Sequence, residues 1–323
     1  MELRRNVLII NPVEADPFAV TEAQWQAAWV RAGKPPVTAG FATPGPDLAA
    51  ALATADTIIT GPPILADILA LPMPRLESVF LLAAGVDRLA GLAWPRGVRL
   101  LNNRGVHGAK LREYMLWALL ALHMRAPVLA MAQVARRWEP VFTPAIAGRR
   151  LTVVGTGDLG GASASAGKAL GMNVTGISRQ GRPHTACDRV LPSAALDAVL
   201  PETDALVLAC PLTPATRGLL DARRLALLPA GAHVLNVGRG ALLDQAALVA
   251  ALASGHLGGA VLDVTDPEPP SPDDKLWSAP NLIVTPHISA DDPTIYNDAS
   301  LDLFFATVDQ ANPPNLVDLG LGY

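Results

Sequence analysis

The sequence reads as an α/β protein of two doubly wound parallel-sheet domains, and three observations predict this. Short apolar runs alternate with helical stretches along most of its 323 residues, as in a parallel sheet covered by helices on both faces. Near the middle, an apolar run meets Gly155, Gly157 and Gly160 at G-x-G-x-x-G spacing and a helical stretch follows. Near the end, Leu301, Phe304, Phe305 and Val308 fall at i, i+3, i+4 and i+7, an apolar stripe on one helix face. That stripe needs a surface, and the expectation is that it returns to the first domain. The first domain is then discontinuous, residues 1–104 with 292–323, and the second spans 105–291.

In chain order, Val7 to Ile10, Thr57 to Thr60, Val79 to Leu82 and Val98 to Leu101 read as strands of the first domain. Glu22 to Ala32, Asp47 to Thr54 and Ile64 to Leu69 read as its helices. Prolines at 35–36, 62–63, 72 and 74 fall between these elements, where they are expected to stop helices and stiffen turns. Gly108 to Arg125 reads as a long helix broken by Pro127, and its segment MLWALLAL is apolar on nearly every face. Such a helix must be covered all round, by its own domain or by another subunit. After the glycine motif, strands are expected from Asn173, at Ala205 to Ala209, His233 to Val237, Ala260 to Asp263 and Leu282 to Thr285. With Leu151 to Val154 these make six strands, and a helix at Gln245 to Ala253 exits at Gly255.

Each glycine of the motif has a physical task. Gly155 permits the tight turn, Gly157 lets backbone approach a pyrophosphate, and Gly160 lets the helix pack closely on the strand, while the helix N-terminus offers N–H groups to the phosphates. The motif therefore implies a Rossmann-type dinucleotide domain. An NAD-selective site places a carboxylate about 20 residues beyond the first glycine, at the end of the second strand. Here that place holds Ser178, followed by Arg179 and Arg182. A hydroxyl and two guanidiniums suit a 2′-phosphate, so NADP(H) is expected over NAD(H).

Half of the residues are hydrophobic and 17% are charged, which excludes disorder. A net charge of −4 and the lack of a long basic run exclude a nucleic-acid surface. Two cysteines, Cys187 and Cys210, lack metal-like spacing and fit a reducing compartment. The apolar run Val7 to Ile10 is too short for a signal-peptide core, and Met115 to Leu122 is too short for a membrane span, so a cytoplasmic protein is expected.

Three segments near the ends of late strands carry ionisable groups: NVGRG with Arg239, LDVTDPEPP with Glu268, and VTPHISA with His287. Ligands of open α/β sheets bind at the carboxyl ends of strands, so the three can meet beside a nicotinamide. Hydride delivery to a ketone builds negative charge on oxygen, which calls for a proton donor and a fixed positive charge. Histidine can donate the proton, and arginine can polarise the carbonyl. A carboxylate bonded to an imidazole orients it and favours its protonated form.

These residues resemble the D-isomer-specific 2-hydroxyacid dehydrogenases over nearly the whole chain. The resemblance is carried by LAAGVD (Leu82 to Asp87), the glycine motif, PLTPATRGLL (Pro211 to Leu220), LNVGRGALLD (Leu235 to Asp244), LDVTDPEP (Leu262 to Pro269) and TPHIS (Thr285 to Ser289). It implies a Rossmann-type domain inserted into a flavodoxin-like substrate domain, and a homodimer. It further implies that Arg239 binds substrate, Glu268 orients the histidine and His287 is the acid/base. Ala84 and Gly85 would present N–H groups to a substrate carboxylate that Arg239 also grips. Asp158, Leu159, Pro211, Thr216, Val237 and Asp263 would join the cofactor site. The SRQGR tail looks like that of NADPH-linked glyoxylate and hydroxypyruvate reductases, which makes a small 2-keto acid the expected substrate and a D-2-hydroxy acid the product.

The sequence departs from the family pattern at Arg112, before the acidic helix residue Glu113, and in the Ala/Ser-rich helix after the glycines. Trp138 is read as packing locally, the alternative being approach to a neighbouring active site, as an aromatic from this loop does in some relatives. Cys210 is read as a small core residue. The remaining histidines lack ligand spacing, so no metal is expected. Two alternatives stay open: another dehydrogenase of the same fold, of formate or phosphite type, and a cofactor-sensing corepressor. Formate-type enzymes carry glutamine where Glu268 stands, which counts against them. Corepressors keep the Arg, Glu and His, but the sequence shows no basic recognition segment.

Overall fold

A computed structural model of the chain describes residues 5–34, 38–89 and 91–322. The turn expected at Pro35 and Pro36 lies outside the described residues. The chain divides into two compact units, residues 1–106 with 292–323, and residues 107–291.

The first unit holds a five-stranded parallel sheet of β1 (Asn6–Ile10), β2 (Thr38–Ala42), β3 (Thr57–Thr60), β4 (Ser78–Leu81) and β5 (Arg99–Asn102), in the order β2-β1-β3-β4-β5. That is the flavodoxin-like order. β1, β3 and β4 are buried almost throughout, as strands covered on both faces must be. The helices are α1 (Glu22–Ala32), α2 (Leu48–Leu52) and α3 (Pro62–Ile68), joined from the far end of the chain by α10 (Tyr296–Thr307). α1 opens on a capping box between Thr21 and Gln24 and closes on Gly33 in the left-handed region. Leu301, Phe304, Phe305 and Val308 are all buried, in a core with Trp25, Ile59, Phe80 and Leu101. The long apolar stripe is thus satisfied within this unit.

The second unit opens with α4 (Gly108–His123) and α5 (Ala126–Val134). Its sheet contains β6 (Arg150–Val154), β7 (Asn173–Ser178), β8 (Arg189–Pro192), β9 (Ala205–Leu208), β10 (His233–Asn236), β11 (Gly259–Leu262) and β12 (Leu282–Val284), in the order β12-β11-β10-β9-β6-β7-β8. All pairings are parallel, and the chain reverses direction across the sheet between β6 and β9. The helices are α6 (Asp158–Ala169), α7 (Leu196–Val199), α8 (Ala222–Leu227) and α9 (Gln245–Ala253). α4 packs on α6, and its Leu111, Met115, Ala118 and Leu119 are buried in the core that both helices share with the sheet.

Several expectations are corrected. The described sheet has seven strands rather than six, because Arg189–Pro192 adds an edge beside β7. Thr38–Ala42 is a further strand not anticipated in the first unit. Pro62 and Pro63 begin α3 instead of separating elements, which suits residues whose missing N–H would have no helical partner there. α4 ends at His123, and Arg125 in the left-handed region makes the break, while Pro127 sits in the first turn of α5. No single helix among the described residues is long and apolar enough to cross a membrane.

Candidate active site

The glycine turn lies between β6 and α6. Gly155 has φ of +93°, and a side chain there would press on the backbone of Ala209 and Cys210, 2.7 Å away. A Cβ on Gly160 would overlap the Gly155 carbonyl, so this glycine permits the close approach of helix to strand. Gly157 is exposed, with open space where a side chain would stand, and α6 starts immediately after it. An unobstructed N-terminus of a twelve-residue helix fits a pyrophosphate.

Ser178 ends β7, beside the glycine turn, where the Gly155 N–H donates to the Ile177 carbonyl at 2.7 Å. Its Oγ accepts the Gly181 N–H at 3.1 Å, which folds the following turn and leaves the hydroxyl proton for a further acceptor. Arg179 and Arg182 are exposed on that turn. His184 lies where a side chain at Gly161 would go, so the segment is docked on the first turns of α6. Further along, Thr216 Oγ1 donates to the Pro211 carbonyl at 2.7 Å and shapes the PLTP turn. Asp158 and Leu159 occupy the first turn of α6. Val237 places its side chain in the core, so only its backbone can face a ligand.

The three chemical segments are neighbours. Buried Asn236 closes the NVGRG turn by donating to the Arg239 carbonyl at 2.9 Å and accepting the Gly238 N–H at 3.1 Å. A Cβ on Gly240 would overlap the Thr265 carbonyl, so the turn that carries Arg239 packs directly on the turn after β11. From that turn, Glu268 Oε1 lies 2.6 Å from Nδ1 of His287. The two side chains are 37% and 44% exposed, so the pair faces solvent rather than the core. His287 has φ of +53°, a conformation that costs a non-glycine residue roughly 1–3 kcal/mol and persists only where its surroundings impose it.

Asp263 imposes it. Its carbonyl accepts the His287 N–H at 2.9 Å, its Oδ1 accepts Ile288 N–H at 2.9 Å, and its Oδ2 accepts Ser289 N–H at 3.0 Å. Thr285 Oγ1 adds a bond to Oδ1 at 2.6 Å. The carboxylate expected to touch cofactor is thus committed to the histidine turn. Sequence reading missed this, and the one available signal was an acid set in the apolar run AVLDV.

In the first unit, the loop with Ala84 and Gly85 has three successive carbonyls tied down. Tyr296 Oη donates to Leu82 O at 3.1 Å, Asn103 N–H to Ala83 O at 3.0 Å, and Asn102 Nδ2 to Ala84 O at 2.8 Å. Among the described residues, the Ala84 and Gly85 N–H groups donate to no protein acceptor. Trp138 is 99% exposed, and burial pushes the Cys210 thiol up to about 12, which keeps it a protonated core residue.

Residues 116–289 match the family model described as "D-isomer specific 2-hydroxyacid dehydrogenase, NAD binding domain". The chain belongs to this family. Its members are oxidoreductases, and the matched region spans the glycine turn, Arg239, Glu268 and His287. The chain is similar to a glyoxylate reductase of Aeropyrum pernix, 31% identical, over 67% of this chain and 68% of that protein. A D-isomer specific 2-hydroxyacid dehydrogenase from Xanthobacter autotrophicus, solved with NADPH and MES, is 29% identical with a TM-score of 0.83, over 98% of this chain and 99% of that one. An NADPH-dependent glyoxylate/hydroxypyruvate reductase from Sinorhizobium meliloti, solved with NADP and sulfate, is 26% identical with a TM-score of 0.77, over 99% and 100% of the two chains.

Proposed function

We propose that this family member reduces small 2-keto acids of the glyoxylate and hydroxypyruvate type to D-2-hydroxy acids, with NADPH preferred over NADH. The observation that carries the reading is the His287–Glu268 pair on a left-handed turn at the carboxyl end of the cofactor-domain sheet. With Nδ1 bonded to Glu268, Nε2 is the nitrogen that exchanges a proton with substrate oxygen. Bound nicotinamide supplies the hydride. As charge develops on the carbonyl oxygen, His287 gives it a proton and Arg239 supplies fixed positive charge. In the reverse direction the neutral imidazole takes the alcohol proton. Ala84 and Gly85 offer N–H groups suited to a carboxylate, on a loop fixed by the bonds to the Leu82, Ala83 and Ala84 carbonyls.

The NADPH preference rests on Ser178, Arg179 and Arg182, with no acidic residue among residues 178–182 to repel a 2′-phosphate. The names of the Xanthobacter and Sinorhizobium structures agree with it. A homodimer is also proposed, around α4 and the α5 that follows it, where Trp117, Leu120, Met124, Met131 and Val134 are exposed apolar side chains. The function is tested by following NADPH oxidation with glyoxylate, hydroxypyruvate, pyruvate and phenylpyruvate. Turnover is expected on the acids, and His287→Ala should lose roughly 10²- to 10⁴-fold while still binding NADPH. Equal activity on aldehydes lacking a carboxylate would overturn the substrate class, and near-full activity of His287→Ala the acid/base role.

A further inference from the structure

We propose that Tyr114 is a positioning residue for the acid/base histidine, holding the left-handed His287 turn through Thr285 and Asp263. The proposal rests on the assignment of His287 given above. Three consecutive backbone N–H groups, of residues 287, 288 and 289, converge on Asp263, so the setting of this one residue fixes where the imidazole stands. The Asp263 side chain is buried, and a buried carboxylate is held by its hydrogen-bond partners.

One of those partners is Thr285 Oγ1, 2.6 Å from Asp263 Oδ1. A carboxylate can only accept, so the single Thr285 hydroxyl proton is committed to it. The 2.6 Å contact between Thr285 Oγ1 and Tyr114 Oη then has one polarity, with the phenol donating and the threonine accepting. The result is a directed chain, Tyr114 to Thr285 to Asp263, that ends in the turn. Burial, together with the nearby Asp263 charge, pushes the phenol above its ordinary range and keeps that donor protonated. Tyr114 belongs to the sixteen-residue α4, which packs on the glycine-motif helix α6, and its ring lies 5.2 Å from that of Trp117. A short turn outside the sheet is thereby anchored to the most extended helix of its unit. A tyrosine that merely filled the core would leave catalysis untouched when its hydroxyl was removed.

Tyr114→Phe keeps the ring and removes the donor. We expect kcat to fall on the order of tenfold, the scale of one buried hydrogen bond, with NADPH affinity and thermal midpoint close to wild type. Backbone hydrogen exchange at Ile288 and Ser289 should accelerate in the same variant. Thr285→Val should behave likewise, Thr285→Ser should restore activity, and the Tyr114→Phe/Thr285→Val double variant should lose little more than either single one. Wild-type kcat in Tyr114→Phe, or unchanged exchange at residues 288 and 289, overturns the relay. If Tyr114→Phe does not fold, the Thr285→Ser and Thr285→Val pair decides, equal activity of the two being the refuting result. Full activity in His287→Ala instead removes the acid/base assignment, and the exchange measurement separates that failure from failure of the relay.

Discussion

Acidification from pH 6.5 toward pH 4 should destabilise this protein through one buried histidine. His233 starts β10, and burial lowers its pKa from 6.5 to about 4, helped by the nearby charges of His123, Arg149 and Arg125 against the opposing Asp204. The unfolded chain therefore takes up the proton first. Stability is fully present above pH 6.5 and is lost as pH falls toward 4, with no further loss from this group below that. A gap of this size makes the unfolded state more favourable by about 2 kcal/mol at pH 5, an upper figure because the ring keeps some solvent contact. The perturbation is His233→Gln, and the assay is urea unfolding at pH 7 and pH 5, followed by circular dichroism. The wild type should lose most of that 2 kcal/mol between the two pH values and the variant should lose much less. Equal losses would refute the reasoning. Because β10 runs into the turn of Asn236 and Arg239, the protection of that turn against hydrogen exchange, corrected for the intrinsic rate at each pH, should fall with acid more in the wild type than in the variant.

The cofactor reading predicts that Arg179→Ala lowers kcat/KM for NADPH about 10- to 100-fold, the scale of a lost charge-assisted hydrogen bond, while leaving NADH nearly unchanged. An equal loss with both cofactors, or a wild type that prefers NADH, would remove the 2′-phosphate argument. The dimer predicts a species of about twice the 33.7 kDa chain mass in sedimentation at micromolar concentration, and dissociation by Leu120→Glu on the exposed face of α4. Observation of the monomer mass alone for the wild type would rule it out.

The parts of the fold that could be read ahead are those where side chains alone decide the outcome. The α10 stripe was legible because four large apolar residues at helical spacing have no other place to go, and each is at most 3% exposed. β2 escaped notice because TAGFA holds a glycine and two alanines, poor strand formers in isolation, and it exists by register with β1, Asn6 opposite Thr38 through Ile10 opposite Ala42. β8 is a four-residue edge ending in Pro192, again made by pairing rather than by propensity. The end of α4 gave no sign, since Arg125 adopts a left-handed backbone that its residue type does not announce. At the site the chemistry was legible and the conformation was not. Hydride transfer to a ketone asks for few residue types, so Arg239, Glu268 and His287 stood out. That His287 would be left-handed, and that Asp263 would turn its carboxylate inward to hold it, depends on contacts made only after the strands have aligned.

The cofactor-domain sheet divides its labour between its two edges. Every strand is parallel, so the carboxyl ends of β6, β7, β9, β10, β11 and β12 share one side, and the glycine turn, Ser178, the PLTP turn, Arg239, Glu268 and His287 all follow them. The opposite edge gathers structural charge. Asp204 accepts from the Arg150 backbone and guanidinium, Asp188 accepts from Lys168 and the Val174 N–H, and both carboxyls are held below their usual range by those partners despite the cost of desolvation. His233 begins its strand on this same edge, hydrogen-bonded through its N–H to the Asp204 carbonyl. An ion pair of this exposure contributes about 0–1 kcal/mol, so its removal lowers stability slightly and leaves strand register to the ladder. Substitutions at Asp204 or Asp188 therefore act on the folded fraction, whereas those at Asp263 or Asn236, buried and lying at the carboxyl ends of the strands, act on the geometry of the reacting groups. The distinction follows from strand direction alone, because a parallel sheet delivers every loop of one kind to one side.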